Sequence, residues 1–467
     1  MPLPHPQINT YTDDALGEAD AVELAAAVRS GERSAAELAL AAIARAQSVE
    51  PTLHAVAYAA YEKAPTRHYV ADAALAGVPS YVKDLTDVAG MPTNHGTACF
   101  VAKPAKKDSA VTAQHVGTGV VVLGKSRVPE FGFNGAGEFR YDEPVRNPWN
   151  PDYSPGGSSS GAAALVAVGV VPIAHATDGG GSIRIPAACN GLIGLKASRG
   201  RFADGPQAKS IPLNVNAEGV VTRTVRDTAT YVAAAERFAP AKNLPPIGHI
   251  QGPGTAKLRI GLLFESPAGV PTDDETRHAI ERTAKSLEAM GHRVEPAAVT
   301  FGPQFADDFV AYWGLLAFLA TRTGRLMIDR RFDSSRADGL TLGLRRHFQR
   351  RPFAVAPALR RLKASSATYA EIFTQHDVVL SPVLAHVPPK IGFLSPEQPF
   401  EQLMDKLRNY VAFTPLNNAS GGPAISVPAG FSSNGVPIGA HLSAKVGDEA
   451  TLLRVAFALE ESGWPTS

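Results

Sequence analysis

Residues 154–200 read SPGGSSSGAAALVAVGVVPIAHATDGGGSIRIPAACNGLIGLKASRG. Two glycine-serine turns frame the stretch, one running into Ser158, Ser159 and Ser160, the other being Gly179, Gly180, Gly181 and Ser182. Glycine reaches dihedrals that other residues avoid, so a run of it lets successive N–H groups converge on one point. A serine closing such a run stands beside a ready-made oxyanion hole. Between the turns, residues 162–174 carry no charge. That segment is too short for a bilayer, which takes roughly 17–25 residues, and reads as a buried core helix.

Outward from this stretch, several segments point to a sheet covered by helices. Residues 15–65 read as helical, with a capping box at Ser34-Ala35-Ala36-Glu37 leading into an alanine-rich run. Residues 79–84 read as a strand ending at Lys83, and 120–123 as a buried strand closed by Gly124. Four prolines make 138–155 coil. Residues 258–263 form another strand, Thr272-Asp273-Asp274-Glu275 a second capping box, and Ile280, Ala284 and Leu287 follow at helical spacing. Gly291 closes that helix and Val294 begins a return strand. Strand, helix, strand is the signature of a βαβ unit.

Residues 303–375 mix aromatics (Phe305, Phe309, Tyr312, Trp313, Phe318) with arginine-rich helical runs such as Arg345-Arg346-His347. They read either as amphipathic helices packed on the core or as a cap whose aromatics wall an apolar pocket. A strand at 378–382, a strand pair over 425–442 turning at Asn434-Gly435, and a last helix at 449–461 complete the pattern. The expected fold is α/β: a mixed, mostly parallel twisted sheet with helices on both faces and a helical insert. One domain spans 1–467: N-terminal helices at 15–65, a core at 66–300, the insert at 301–375 and a return to the sheet at 376–467.

The bulk composition narrows the function. The 467 residues are enough for a substantial core, 45% of them are hydrophobic and 19% charged. A net charge of +1 leaves no electrostatic footprint for nucleic acid or anionic lipid. The two cysteines, Cys99 and Cys189, make neither a disulfide framework nor a zinc cage, and their scarcity fits a reducing compartment. The opening MPLPHPQINTYTDD lacks the apolar core of a secretory signal. The expectation is a water-soluble cytoplasmic protein without nucleic-acid or membrane partners.

A serine nucleophile needs a base. None of the 13 histidines sits in a context that recommends it. His175, seven residues before Ser182, lies among apolar neighbours and reads as a core residue. A lysine can serve if it is kept uncharged, but against a free pKa of about 10.4 that costs about 4.6 kcal/mol at pH 7. Only burial or a neighbouring positive charge supplies such a shift. Lys83, at the end of an apolar strand, is the candidate, and a solvated strand-end lysine is the bland alternative.

Taken together, these segments resemble the amidase signature family of serine hydrolases. The matching pieces are Val82-Lys83-Asp84 with Val88-Ala89-Gly90-Met91-Pro92-Thr93, Asn147-Pro148-Trp149-Asn150, and Gly156-Gly157-Ser158-Ser159-Ser160-Gly161. Thr177-Asp178-Gly179-Gly180-Gly181-Ser182-Ile183-Arg184 and Gly194-Leu195-Lys196 continue the match, as do Gly422-Pro423-Ala424-Ile425-Ser426-Val427-Pro428 and Gly435-Val436-Pro437-Ile438-Gly439. The likeness covers about 15–300 and 375–465 and leaves the helical insert unmatched. It implies the family's fold and a Ser–Ser–Lys triad with no metal and no cofactor: Ser182 as nucleophile, Ser158 on a cis peptide as proton relay, Lys83 as neutral base. The 24-residue separation of the two serines is the family's usual one. The resemblance further implies an oxyanion hole at Gly179, Gly180, Gly181 and Ser182, and bracing of that loop by Asp178 and Arg184. Thr177, at the edge of the site, and Phe131 and Gly132, at the pocket wall, are the implied substrate-binding residues. Gly179 stands where many members carry a bulkier residue, which suggests a wider pocket. Ala197-Ser198 follows Lys196 where proline is usual.

The substrate implied is a small-molecule apolar or aryl amide, with carbamates as the alternative on the same machinery, and the state a monomer or homodimer. Other readings compete. Gly157-Ser158-Ser159-Ser160-Gly161 formally satisfies the G-x-S-x-G elbow with Ser159 as nucleophile, but the segment upstream is proline-rich coil where that elbow needs a strand. The glycine loops could cradle phosphate, but no G-K-[ST] follows either. The family also includes amidotransferase subunits, and retention of all three triad residues argues for an active hydrolase.

Overall fold

The computed structural model of the protein describes residues 3–205, 208, 211–267, 269–298 and 301–464. Two helices come first, α1 (Ala21–Ser30) and α2 (Ala35–Leu53). Asp20 and Ser34 cap them, each accepting the N–H three residues on while Glu23 or Glu37 reaches back. The box expected at Ser34 is therefore formed. His54 ends α2 in the left-handed region, and the chain enters β1 (Val56–Ala59). Helix thus does not run through 15–65: pairing with a later strand overrides local propensity at 56–59.

Next come β2 (Pro79–Lys83), α3 (Ala110–Gly117) and β3 (Val121–Ser126). They make a small sheet in the order β1-β3-β2, with β2 parallel and β1 antiparallel to β3. Gly124 lies inside β3 rather than closing it. A Cβ there would sit 2.1 Å from the Tyr58 carbonyl oxygen, so only glycine admits β1 at this distance.

The segment 162–174 is not one helix. α4 (Ser160–Ala167) is buried on every side, as its composition demands, and then gives way to β4 (Ile173–Asp178). Gly169, at φ +85°, and Pro172 separate the two. The chain continues through α5 (Arg184–Asn190), β5 (Ile193–Lys196), β6 (Ala217–Thr222), α6 (Val225–Phe238), β7 (Arg259–Leu262), α7 (Asp274–Ala289) and β8 (Arg293–Pro296). Asp273, not Thr272, caps α7 by accepting the Thr276 N–H. Aspartate is the stronger cap, and with threonine at N3 no carboxylate reaches back, so the expected box is absent.

Helices α8 (Gln304–Met327), α9 (Gly339–Arg350) and α10 (Val355–Gln375) make up the insert. Then follow β9 (Val378–Pro382), α11 (Phe400–Tyr410), α12 (Pro415–Ser420), β10 (Ala424–Phe431), β11 (Pro437–Ser443) and α13 (Glu449–Glu461). Among the described residues the large sheet has eight strands in the order β4-β6-β5-β10-β11-β9-β7-β8. Helices cover both faces. Ile193 and Leu195 enter a core shared with α6, α7 and α13, whereas Gly194 between them lies against Ala187 of α5.

The sheet is mixed as expected, but its bias is antiparallel. Among the described strands β7 pairs parallel with β8 and β9, and the other neighbours in this sheet run antiparallel. The unit read from 258–296 is parallel. The remaining apolar runs report burial on both faces, which an antiparallel strand between two helical layers shows equally well. No helix among the described residues is long and apolar enough to cross a membrane.

Candidate active site

Lys83 ends β2 and is fully buried. Its Nζ lies 2.8 Å from Ser158 Oγ, 2.9 Å from Thr177 Oγ1 and 3.3 Å from the Thr177 carbonyl oxygen. An uncharged amine has two hydrogens and one lone pair, so this set is satisfied if both hydrogens go to Thr177 and the lone pair faces the Ser158 hydroxyl. Burial pulls Lys83 down to about 7, against the opposing charges of Glu218 and Asp178. The solvated strand-end alternative is thereby excluded. The Gly157–Ser158 peptide bond is cis.

The second glycine loop follows β4 and is braced from below. Asp178 Oδ1 accepts the Gly181 N–H at 2.7 Å, and Oδ2 the Ile183 N–H at 3.2 Å. Arg184 meets the same carboxylate in a two-pronged pair, both contacts at 2.9 Å, and both side chains are fully buried. Burial alone would raise the Asp178 carboxyl. The Arg184 guanidinium more than offsets this and holds it well below the usual carboxylate range. The remaining donors of Arg184 reach Asn417 and Asn418 of α12 and His441 of β11. Bracing by Asp178 and Arg184 is therefore present.

The Gly181 N–H is committed to Asp178, so it does not serve an oxyanion. The N–H groups of Gly179, Gly180 and Ser182 remain. Gly181 itself sits at φ +134°, where a Cβ would come 2.3 Å from Thr414 Oγ1. Ser159 is buried, and its hydroxyl donates to the Ser182 carbonyl at 2.5 Å while accepting the Thr177 N–H at 3.3 Å. It ties the two glycine turns together and is not presented to a ligand.

Ser182 lines an open, largely apolar cavity and makes no side-chain hydrogen bond among the described residues. One wall is the segment Gly132, Phe133, Asn134 and Gly135 with Gly157; another is α8, which contributes Phe305, Phe309, Val310 and Trp313 along one face. Leu340 and Leu344 of α9 and Met404, Leu407 and Arg408 of α11 complete it. Phe309 and Trp313 stack, ring centroids 5.0 Å apart. The insert is thus part of the pocket, although Phe318 packs instead at a tilt against Phe348 and Tyr312 donates to the Leu213 carbonyl. Asn134 gives Nδ2 to the Leu394 carbonyl, and its buried Oδ1 has no partner among the described residues.

Three expectations need correction. Phe131 does not line the cavity; with φ +51° it turns toward His95 and Phe332, and Phe133 takes the wall position beside Gly132. Thr177 holds the Lys83 amine and is not among the residues that line the cavity. Gly179 does not widen the pocket. A Cβ there would lie 2.8 Å from Asn216 Oδ1 and 3.2 Å from the Trp313 ring, so the space is already taken. Asn134, Asn417, Asn418 and His441 went unnoticed because nothing in the local pattern marks them. Their roles arise from contacts with segments far away in the chain.

Comparison with known proteins finds relatives along nearly the whole chain. The family model described as Amidase matches residues 37–453. AmiC of Mycobacterium leprae, described as an amidase, is 45% identical over 458 residues, covering 98% of this chain and 97% of that protein. Among solved structures, a 6-aminohexanoate cyclic dimer hydrolase complexed with substrate superimposes with a TM-score of 0.85 at 30% identity, covering 96% of this chain and 98% of its own. A bacterial aryl acylamidase does so with a TM-score of 0.85 at 25% identity, covering 95% and 96%.

Proposed function

The chain belongs to the amidase family and is an amidohydrolase, and from that premise we propose that it cleaves small apolar or aryl amides through an acyl-enzyme on Ser182. The observation that carries this reading is the buried Lys83 amine, 2.8 Å from Ser158 Oγ, behind an apolar cavity that Ser182 lines. Ser182 Oγ attacks the substrate carbonyl carbon, its proton passes to Ser158, and the Ser158 proton passes to Lys83. The N–H groups of Gly179, Gly180 and Ser182 receive the oxyanion. Collapse breaks the C–N bond, and the proton returns by the same relay to the departing amine. Water then attacks the ester, and the acid leaves.

Because lysine acts as base only when uncharged, kcat/KM falls as the pH drops through about 7, where Lys83 protonates. A pH–rate profile checks this, and an acid limb set by an ordinary carboxylate, near pH 4, would contradict it. The substrate class is tested with a nitroanilide, a nitrophenyl carbamate, a lactam dimer and a primary amide under identical conditions. The apolar pocket favours the anilide and the lactam dimer over the small primary amide. A carbamate offers the same carbonyl to the same groups, and preference for it would make the enzyme a urethanase. Trp313→Ala lowers kcat/KM for the anilide about 10–100-fold while leaving an acetamide-sized substrate within about threefold. Equal losses on both would remove the pocket assignment.

A further inference from the structure

A polar cluster lies behind Lys83 that the reaction above does not use. His175 of β4 is buried, and its Nδ1 accepts the backbone N–H of Lys83 at 3.3 Å. Its ring proton therefore sits on Nε2, which donates to Glu218 Oε2 at 3.0 Å. Glu218 is on β6, directly opposite Thr177 in the sheet register. It is thus the cross-strand neighbour of the residue that holds the Lys83 amine.

The surrounding charges single Glu218 out. His175 is the one side chain within ion-pair distance of it among the described residues, and that ring is neutral: burial, then Lys83 and Lys125, hold it at about 3. Asp178, whose charge also reaches Lys83, is engaged by Arg184. Lys125 is paired with Asp84 at 3.1 Å. On the far side, His115 of α3 contacts Ser80 at 3.1 Å and Tyr231 of α6 at 3.4 Å, and Asp204 adds a second negative charge toward Glu218. Glu218 is the carboxylate left to answer an ammonium at Lys83.

We propose that Glu218 and His175 are positioning residues for Lys83: Glu218 supplies the counter-charge for the ammonium formed during acylation, and His175 holds that carboxylate behind the amine while anchoring β2. This rests on Lys83 being the base of the proposed reaction. Burial pushes Glu218 up to about 8 and pulls Lys83 down to about 7, and each favours the charged form of the other. The pair titrates jointly, and the amine is a stronger base once Glu218 is ionised.

Glu218→Gln keeps the shape and removes the charge. The acid limb of kcat/KM is expected to move down by about half to one pH unit, and the plateau above about pH 8 to fall about 3–10-fold, with KM within about twofold. The rate at which a sulfonyl fluoride labels Ser182, read by intact mass over the same pH range, shifts in the same direction. A lower plateau with an unmoved acid limb would mean a merely structural role, and no change in either would mean none; both overturn the proposal. If Glu218→Gln does not fold, His175→Phe releases the carboxylate and must move the limb the same way. Turnover by the unaltered enzyme with no adduct at Ser182 would instead bring down the acyl-enzyme reading itself, and this proposal with it.

Discussion

Ser182→Ala lowers kcat/KM on a nitroanilide by about 10^4–10^6-fold, the loss seen when a nucleophile acting in concert with its base is removed. The fold is expected to be untouched, since the Ser182 hydroxyl makes no hydrogen bond among the described residues and lines open space. Ser158→Ala is expected to cost about 10^2–10^4-fold, because the amine of Lys83 then has no relay to the nucleophile. Ser159→Ala is the control. It loses the two hydrogen bonds that clasp the glycine turns and so about 3–10-fold in activity, as neutral hydrogen bonds that do not touch the substrate allow. Steady-state rates together with intact-mass detection of the acyl adduct check the series. Near-complete activity in Ser182→Ala, or abolished activity in Ser159→Ala with the fold intact, would return the nucleophile to the rival elbow reading.

Arg184→Met destabilises the protein by about 3–5 kcal/mol, the usual cost of stranding one partner of a buried ion pair. The substitution leaves Asp178 charged in a dry site and removes the donors to Asn417, Asn418 and His441. Denaturant unfolding measures the loss. The pair holds the Asp178 carboxyl far below its free value. A group depressed in this way contributes stability that is complete above about pH 4 and disappears only in stronger acid. The pair's contribution in the unaltered protein is therefore the same at pH 6 and pH 8. In Arg184→Met the guanidinium that offsets burial is gone, the Asp178 carboxyl rises, and the deficit is at least as large at pH 8 as at pH 6. Asp178→Leu combined with Arg184→Met removes both charges and recovers much of the stability. It does not recover activity, because the Gly181 and Ile183 N–H groups lose the carboxylate that shapes the loop. An active double variant would show that the loop needs no brace.

The triad candidates could be read before any coordinates because each depends on a short-range requirement. Ser158 and Ser182 close glycine turns whose backbone demands are written locally, and Lys83 ends a run of residues buried on both sides. The capping box at Ser34 and the α7 helix with its closing Gly291 are local in the same sense. Phe131 shows the limit of such reasoning. It is adjacent to Gly132 in sequence, but one left-handed backbone step sends its ring to His95 and Phe332. The direction of the strands was equally invisible, since burial on both faces erases the alternation that would have told antiparallel from parallel.

From the sequence alone came the family, the mixed α/β sheet with its helical layers, and the pairing of Lys83 with Ser158, because glycine turns, apolar runs and caps are properties of neighbours along the chain. Only the tertiary structure decided that Thr177 grips the amine, that the Gly181 N–H belongs to Asp178, that Trp313 fills the room beside Gly179, and that Glu218 and His175 stand behind Lys83. Apart from the Gly181–Asp178 contact within one turn, those are meetings between segments separated by tens to hundreds of residues. Which side chain meets which is set by strand register and helix packing, and a one-dimensional pattern of burial carries neither.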